Sequence, residues 1–208
     1  AKKITFVLSV SDSHNRENVR RSTDESLAML REVVAERDNR RDITLVTALA
    51  TSFGCSIEGA VNEARVTQIA EFLANEGIDE INLADTVGYG GPMQVRRIFT
   101  DVKIAVGELP IAAHSHDTRG LGPANVMAAL DAGVFRFDSV LGGLGGCPFA
   151  PGASGNIATE DTLHLFDRLG VDTGINLGAL LEVPRHLAEW LPGQKLEGRL
   201  LGAGPANR

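Results

Sequence analysis

Short apolar, β-rich runs alternate along the chain with longer stretches whose apolar residues recur at helical spacing. Residues 4–10, Ile-Thr-Phe-Val-Leu-Ser-Val, read as a buried strand that ends in the turn-prone Ser11-Asp12-Ser13-His14-Asn15. Ser22 followed by Glu25 is a capping-box signature, and Leu27, Leu30, Val33 and Val34 then share one helical face, which predicts a helix to about residue 36. The cycle repeats with a strand over 43–48, a helix over 62–74 stopped by Gly77, a strand over 80–83, and a helix opened by Pro92 that runs to about residue 106. A strand over 110–113, a helix after Gly122 and a strand over 134–140 follow. Beyond a glycine-rich loop over 142–155, Thr159 caps a helix to residue 169, and a last helix spans 177–190.

Strands separated by helices of this length pair in parallel, because each parallel connection needs a crossover and the crossover helix covers a sheet face. The fold class is therefore α/β. A barrel and an open doubly wound sheet share this pattern, but no GxGxxG follows the first strand. Polar residues gather just after the strand ends, at 11–14, at Asp85-Thr86, at His114 and His116-Asp117, and over 142–156. A TIM (β/α)8 barrel builds its active face from those loops, and it takes eight strands and roughly 250 residues. Five strands are readable in these 208 residues. The expectation is a single domain over 1–208 that forms the last five strands of a TIM (β/α)8 barrel and lacks its first three βα units.

With 43% apolar and 23% charged residues, the chain can bury a real core. The net charge of −7, with no basic cluster longer than pairs such as Arg20-Arg21 and Arg40-Arg41, argues against a nucleic-acid partner, which needs a basic face. No apolar run approaches the ~20 residues of a membrane span, so no membrane partner is expected. The first residues lack the apolar stretch of a secretory signal, and the two cysteines, Cys55 and Cys147, form no CxxC pattern. Together these features point to a reducing, cytoplasmic compartment.

The sharpest local feature is His114-Ser115-His116. Side chains two apart on a strand point the same way, so both imidazoles can face a barrel axis and share one cation; the alternative is one buried and one surface histidine. The loop Gly142-Gly143-Leu144-Gly145-Gly146-Cys147-Pro148 carries one thiol among many glycines. Such glycine density suggests backbone that approaches a ligand or moves as a lid, against a plain flexible connection. A thiol of ordinary pKa, ~8.5, is mostly protonated at neutral pH and suits a proton donor as well as a nucleophile. Asp85, at a strand end, reads either as a base or ligand-orienting carboxylate or as a turn cap. Cys55 reads as a packed thiol. His14 is at best a rim residue, and His164 and His186 lie on outer helices.

Five segments in order resemble the 3-hydroxy-3-methylglutaryl-CoA lyase family of metal-dependent barrel lyases, which are related to Claisen-condensing synthases. They are Phe53-Gly54-Cys55, Leu83-Ala84-Asp85-Thr86-Val87-Gly88, His114-Ser115-His116-Asp117-Thr118, the run from Gly142 through Cys147 to Ala150, and Gly152-Ala153-Ser154-Gly155-Asn156 with the Ile157-Ala158-Thr159-Glu160-Asp161 that follows. The resemblance implies a divalent cation, Mg²⁺ or Mn²⁺, held by His114, His116 and the amide oxygen of Asn156. It implies catalytic roles for Cys147, Asp85 and His114, an acyl-CoA substrate, and a retro-Claisen cleavage to a ketoacid and acetyl-CoA. It leaves a homo-oligomer open.

The family's Asp-Arg-Glu motif at its first strand, which supplies a carboxylate ligand and an enolate-stabilising Arg, has no counterpart here. That fits the three missing βα units and implies that the chain alone is inactive. Arg119 and Ser56 depart from the family pattern and bear on the substrate, with Arg119, Gly145 and Gly146 as the substrate-binding candidates. A synthase of the isopropylmalate or homocitrate type and a catalytically silent fragment are the competing readings.

Overall fold

The first strand, β1 (Lys3–Ser9), pairs in parallel with β2 (Thr44–Ala50), and the pairing continues through β3 (Glu80–Asp85) and β4 (Ile111–Ser115) to β5 (Phe137–Asp138). The computed structural model describes residues 2–40, 42–146 and 155–204, apart from the side chains of Arg185 and Ala188. Cys147, a candidate catalytic residue, lies outside the described residues.

The strand order in the sheet is the order in the sequence. Each crossover therefore advances in the same direction and lays its helix on the same face. A doubly wound sheet reverses direction at a switch point, so this order is that of a barrel segment. The crossover helices are α2 (Thr23–Asp38), α3 (Glu63–Asn75), α4 (Pro92–Val106) and α5 (Gly122–Asp131), with α1 (Asp12–Val19) as a short extra helix before α2. Beyond the sheet lie α6 (Thr159–Arg168), α7 (Leu177–Trp190) and α8 (Arg199–Ala203). Among the described residues, no helix is long and apolar enough to cross a membrane.

Register decides which side chains enter the core. Leu8, Leu45, Leu49, Ile81, Leu83 and Ala113 face the helices and pack with Leu30, Ile69, Leu73, Ile98 and Phe99 in one buried cluster. At about 25 cal/mol per Å² of apolar surface removed from water, each such side chain contributes on the order of 2 kcal/mol. The alternate positions form the concave face. Thr5 is level with Val46 and Val46 with Glu80, while Ala84 is level with His114 and His114 with Asp138.

Most helix signals act as read, but Thr159 does not cap α6: Ala158 is the N-cap and the Thr159 hydroxyl donates to Ser139 Oγ. Ser22 accepts from Glu25 N while Glu25 accepts from Ser22 N, closing the capping box of α2. Pro92 sits in the first turn of α4, and Gly77, at a φ of 82°, takes the left-handed conformation just past α3.

Two further expectations are corrected, and one helix had none. Residues 12–19 are helix rather than loop: Ser11 caps α1 by accepting from His14 N, and Asn15 ties it down by accepting from Ser9 N and donating to Arg21 O, Ser22 O and Ser26 Oγ. The strand expected over 134–140 pairs with β4 only at Phe137–Asp138, with Val134 drawn into the core below α5, while Val140 forms an isolated parallel bridge with Ala158. Helix α8 had no sequence signal; its first amides, Arg199 N and Leu200 N, donate to the Asp161 carboxylate from a distant helix.

Candidate active site

The concave face of the sheet encloses a cavity of about 500 Å³ lined by alternate residues of all five strands, with His114, His116, Asn82, Thr86 and Asp138 toward the strand ends and Lys3 and Glu80 at the floor. His14 and Asn18 of α1 complete its wall. Polar residues dominate this wall because it is the face the helices do not cover.

The two imidazoles of His114 and His116 lie with ring centroids 5.3 Å apart, tilted at 54°. A ring nitrogen reaches a metal at roughly 2.1 Å, so rings at this separation are close enough to share one ion. His114 Nδ1 pairs with Asp138 Oδ2 at 3.3 Å, and Asp138 in turn accepts a short hydrogen bond from Asn82 Nδ2. One carboxylate thus fixes the ring of β4 from β5 and is itself fixed from β3. The His114 hydrogen bond, with help from Asn82, holds the Asp138 carboxyl below the usual carboxylate range despite its partial burial.

Asn156 is forty residues from His116 in sequence but forms an antiparallel bridge with it. Ile157 N donates to Ser115 O and Asp117 N to Gly155 O, clamping this segment to the end of β4. Asn156 Nδ2 donates to Leu144 O at 2.8 Å, which orients the amide and leaves Oδ1 buried with no hydrogen-bond partner among the described residues. A buried carbonyl oxygen without a donor is costly, and a cation satisfies it. Two imidazoles and this oxygen therefore fit a divalent ion such as Mg²⁺ or Mn²⁺ in donor chemistry. Asn156 lines a smaller cavity, about 170 Å³, and not the one that His114 and His116 line. Among the described residues, no group of three or more His, Cys, Asp or Glu side chains clusters as a metal site, so the fit rests on the amide.

Asp85 is placed differently from the expectation of a catalytic carboxylate. It is level with Ser115, on the opposite face from Ala84 and His114, and it does not line the cavity. Its two oxygens accept from Tyr89 N and Gly90 N, so it holds the β3–α4 turn. Burial pushes its carboxyl above the usual range, against the opposing pull of these amides. Arg119 leans over the same turn, donating to Val87 O at 2.6 Å with its guanidinium 4.4 Å from the centre of the Tyr89 ring.

The glycines of the loop meet protein rather than open space. At Gly145, with a φ of 98°, a Cβ would stand 2.7 Å from Asn156 Nδ2, and a Cβ at Gly155 would stand 1.5 Å from Gly143 O. These residues are small so that the two loop arms can press together and deliver Asn156. Gly146 lies exposed beside Gly145. Cys55 is buried and its thiol lies 3.1 Å from Ser11 Oγ, a packed position as read.

Sequence reasoning missed three residues that shape the site. Asp138 was legible only as a residue on the same face as His114 in the next strand. Glu160 is fully buried, with its carboxyl raised above its usual range by desolvation, and both its oxygens accept from Gly142 N at the base of the loop. His14 is buried in the cavity wall, not at a rim, and its Nδ1 lies 2.8 Å from Ser9 Oγ.

A family model described as HMGL-like matches residues 1–187. The chain is 42% identical to the (R)-citramalyl-CoA lyase of Chloroflexus aurantiacus over 97% of its own length and 63% of that protein. It is 39% identical to a hydroxymethylglutaryl-CoA lyase of Bacillus subtilis over 93% of its length and 64% of that protein. The chain thus spans a little under two thirds of these curated relatives. A solved HMG-CoA lyase from Acinetobacter baumannii, in complex with coenzyme A and 3-methylmalate, superposes with a TM-score of 0.94 at 41% identity, covering 100% of this chain and 67% of that one.

Proposed function

Because the chain belongs to the HMGL-like family, we propose that it forms the metal-binding part of a carbon–carbon lyase acting on a 3-hydroxy-3-methyl acyl-CoA. The observation that carries this reading is the His114–His116 pair on a polar cavity, with Asn156, whose Oδ1 has no hydrogen-bond partner among the described residues, bridged by backbone to His116. The relatives' names support the substrate class. Citramalyl-CoA and hydroxymethylglutaryl-CoA are both thioesters with a tertiary hydroxyl and a free carboxylate, and they differ by one methylene.

In the proposed reaction the 3-hydroxyl loses its proton, C3–O becomes a ketone, and the C2–C3 pair leaves on C2 as an acyl-CoA enolate that is then protonated. His114, His116 and Asn156 would hold a divalent cation, which would supply Lewis acidity for this step. Asp138 keeps the His114 ring turned for that task. Glu160 and the paired glycines hold the loop arm that carries Asn156, and Cys147 is the proton donor to the enolate carbon. Arg119 and the backbone at Gly145 and Gly146 are proposed to meet the substrate at the mouth.

Incubation of the whole protein, this segment together with the barrel's other βα units, with Mg²⁺ or Mn²⁺ and each thioester, followed by chromatographic detection of acetyl-CoA, tests the reading. Acetyl-CoA with pyruvate from citramalyl-CoA, or with acetoacetate from hydroxymethylglutaryl-CoA, is the expected result. Consumption of acetyl-CoA with a ketoacid, and no cleavage of either thioester, would favour a condensing synthase instead.

A further inference from the structure

His14 is a buried titratable side chain to which the lyase chemistry above gives no task. Its helix, α1, has no apolar stripe to bury; it is held by the Ser11 cap and by the Asn15 hydrogen bonds, all polar. Those bonds seat residue 14 against Ser9, whose side chain lies on the concave face because Ser9 is level with Ala50, a cavity-lining residue. The Ser9 Oγ–His14 Nδ1 contact of 2.8 Å pins the ring to the sheet. His14 thus borders the cavity from the end of β1, whereas His114 and His116 border it from the end of β4, three strands away on a curved sheet. His14 and the His114–His116 pair line one and the same cavity.

We propose that His14 is a substrate-contacting residue that hydrogen-bonds the acyl end of a 3-hydroxy acyl thioester bound against His114 and His116; the identity of that ligand rests on the lyase reading. Desolvation lowers the His14 pKa, partly opposed by the charge of Glu58, so the ring is neutral near pH 7. A neutral imidazole can donate to or accept from a hydroxyl, carbonyl or carboxylate without adding a positive charge to a cavity meant for a dication.

The test uses the whole protein, this segment together with the barrel's other βα units, with Mg²⁺ and two readouts. In the first, the ring ¹H–¹³C signals of labelled histidines are followed as free 3-hydroxy-3-methylglutarate is added; the His14 signal is expected to move together with those of His114 and His116. In the second, His14→Ala is expected to lower kcat/KM for the thioester by about tenfold or more, the loss of one hydrogen bond to a reacting ligand, while Mn²⁺ affinity and inhibition by free CoA stay within roughly twofold. His14→Asn should recover part of the loss, and Ser9→Ala should fall between. A His14 signal that stays still while His114 and His116 respond overturns the proposal. So does a His14→Ala protein that loses thermal midpoint and metal affinity in step with activity, since that marks a structural role. If the wild type cleaves neither thioester, the lyase reading fails, and the NMR titration alone still decides His14.

Discussion

Asp85 and His114 occupy equivalent-looking places, each at the end of a parallel strand and just before a turn, yet the structure gives them opposite work. Ala84 is level with His114, and Asp85 is level with Ser115. One step along the strand reverses the face, so His114 looks into the cavity while Asp85 is enclosed behind the sheet and holds the β3–α4 turn through Tyr89 N and Gly90 N. A polar residue at the C-terminal end of a barrel strand is thus a candidate for chemistry only when its parity matches the concave face. The same parity brings in Asp138, level with His114 on the next strand.

The strongest way to break this contrast is to truncate each side chain. His114→Ala should weaken Mn²⁺ binding by more than about 100-fold, read by electron paramagnetic resonance, with the thermal midpoint little changed. Cys147→Ala should leave Mn²⁺ affinity nearly intact while lowering the cleavage rate; equal metal loss in both variants would remove Cys147 from its proposed role. Asp85→Ala should do the reverse of His114→Ala. It strands two amides and should cost about 2–4 kcal/mol in denaturant unfolding, with metal affinity of the folded protein close to wild type. A large metal defect in that variant, without loss of stability, would restore Asp85 to the site.

A smaller effect sharpens the comparison. Asp138→Asn keeps the shape but weakens the hold on His114, and should reduce Mn²⁺ affinity by about tenfold. The two carboxylates also titrate with opposite sign. Asp138 is held below its ordinary 3.8 in the folded state, so its contribution to stability is present above that pH and is lost as pH falls through its lowered folded value. Asp85 is raised above 3.8, so the folded state binds its proton more tightly and stability from this group declines as pH rises from 3.8 through the raised value. Unfolding of Asp138→Asn between pH 2 and 4 should therefore be less acid-sensitive than wild type, whereas Asp85→Asn should flatten the dependence above pH 4.

Much of the scaffold was legible because it is built from local signals. The Ser22–Glu25 box, Pro92, Gly77 and the apolar faces of α2 to α4 lie within a few residues of the contacts that they predict. Helix α1 was not legible, since its stabilising partners, Ser9, Ser22 and Ser26, are polar and lie outside its own span. Helix α8 depends on the Asp161 carboxylate thirty-eight residues before Arg199. His114 and His116 were legible as a pair from their spacing on one strand, whereas Asn156 was named only through a family resemblance, since no spacing links it to the first two.

The sequence by itself determined the alternation of strand and helix, the parallel pairing that such crossovers require, and the HxH pair on one strand face. Only the tertiary structure decided that the crossovers all wind one way into a barrel segment, that Asp85 turns from the cavity, that Asp138 and His14 line the same cavity as His114 and His116, and that Asn156 is bridged to His116 by backbone. The physical reason is range. Propensity and capping act over one or two turns of chain, whereas register between strands and the closure of loops over forty residues are settled by packing of the whole sheet against its helices.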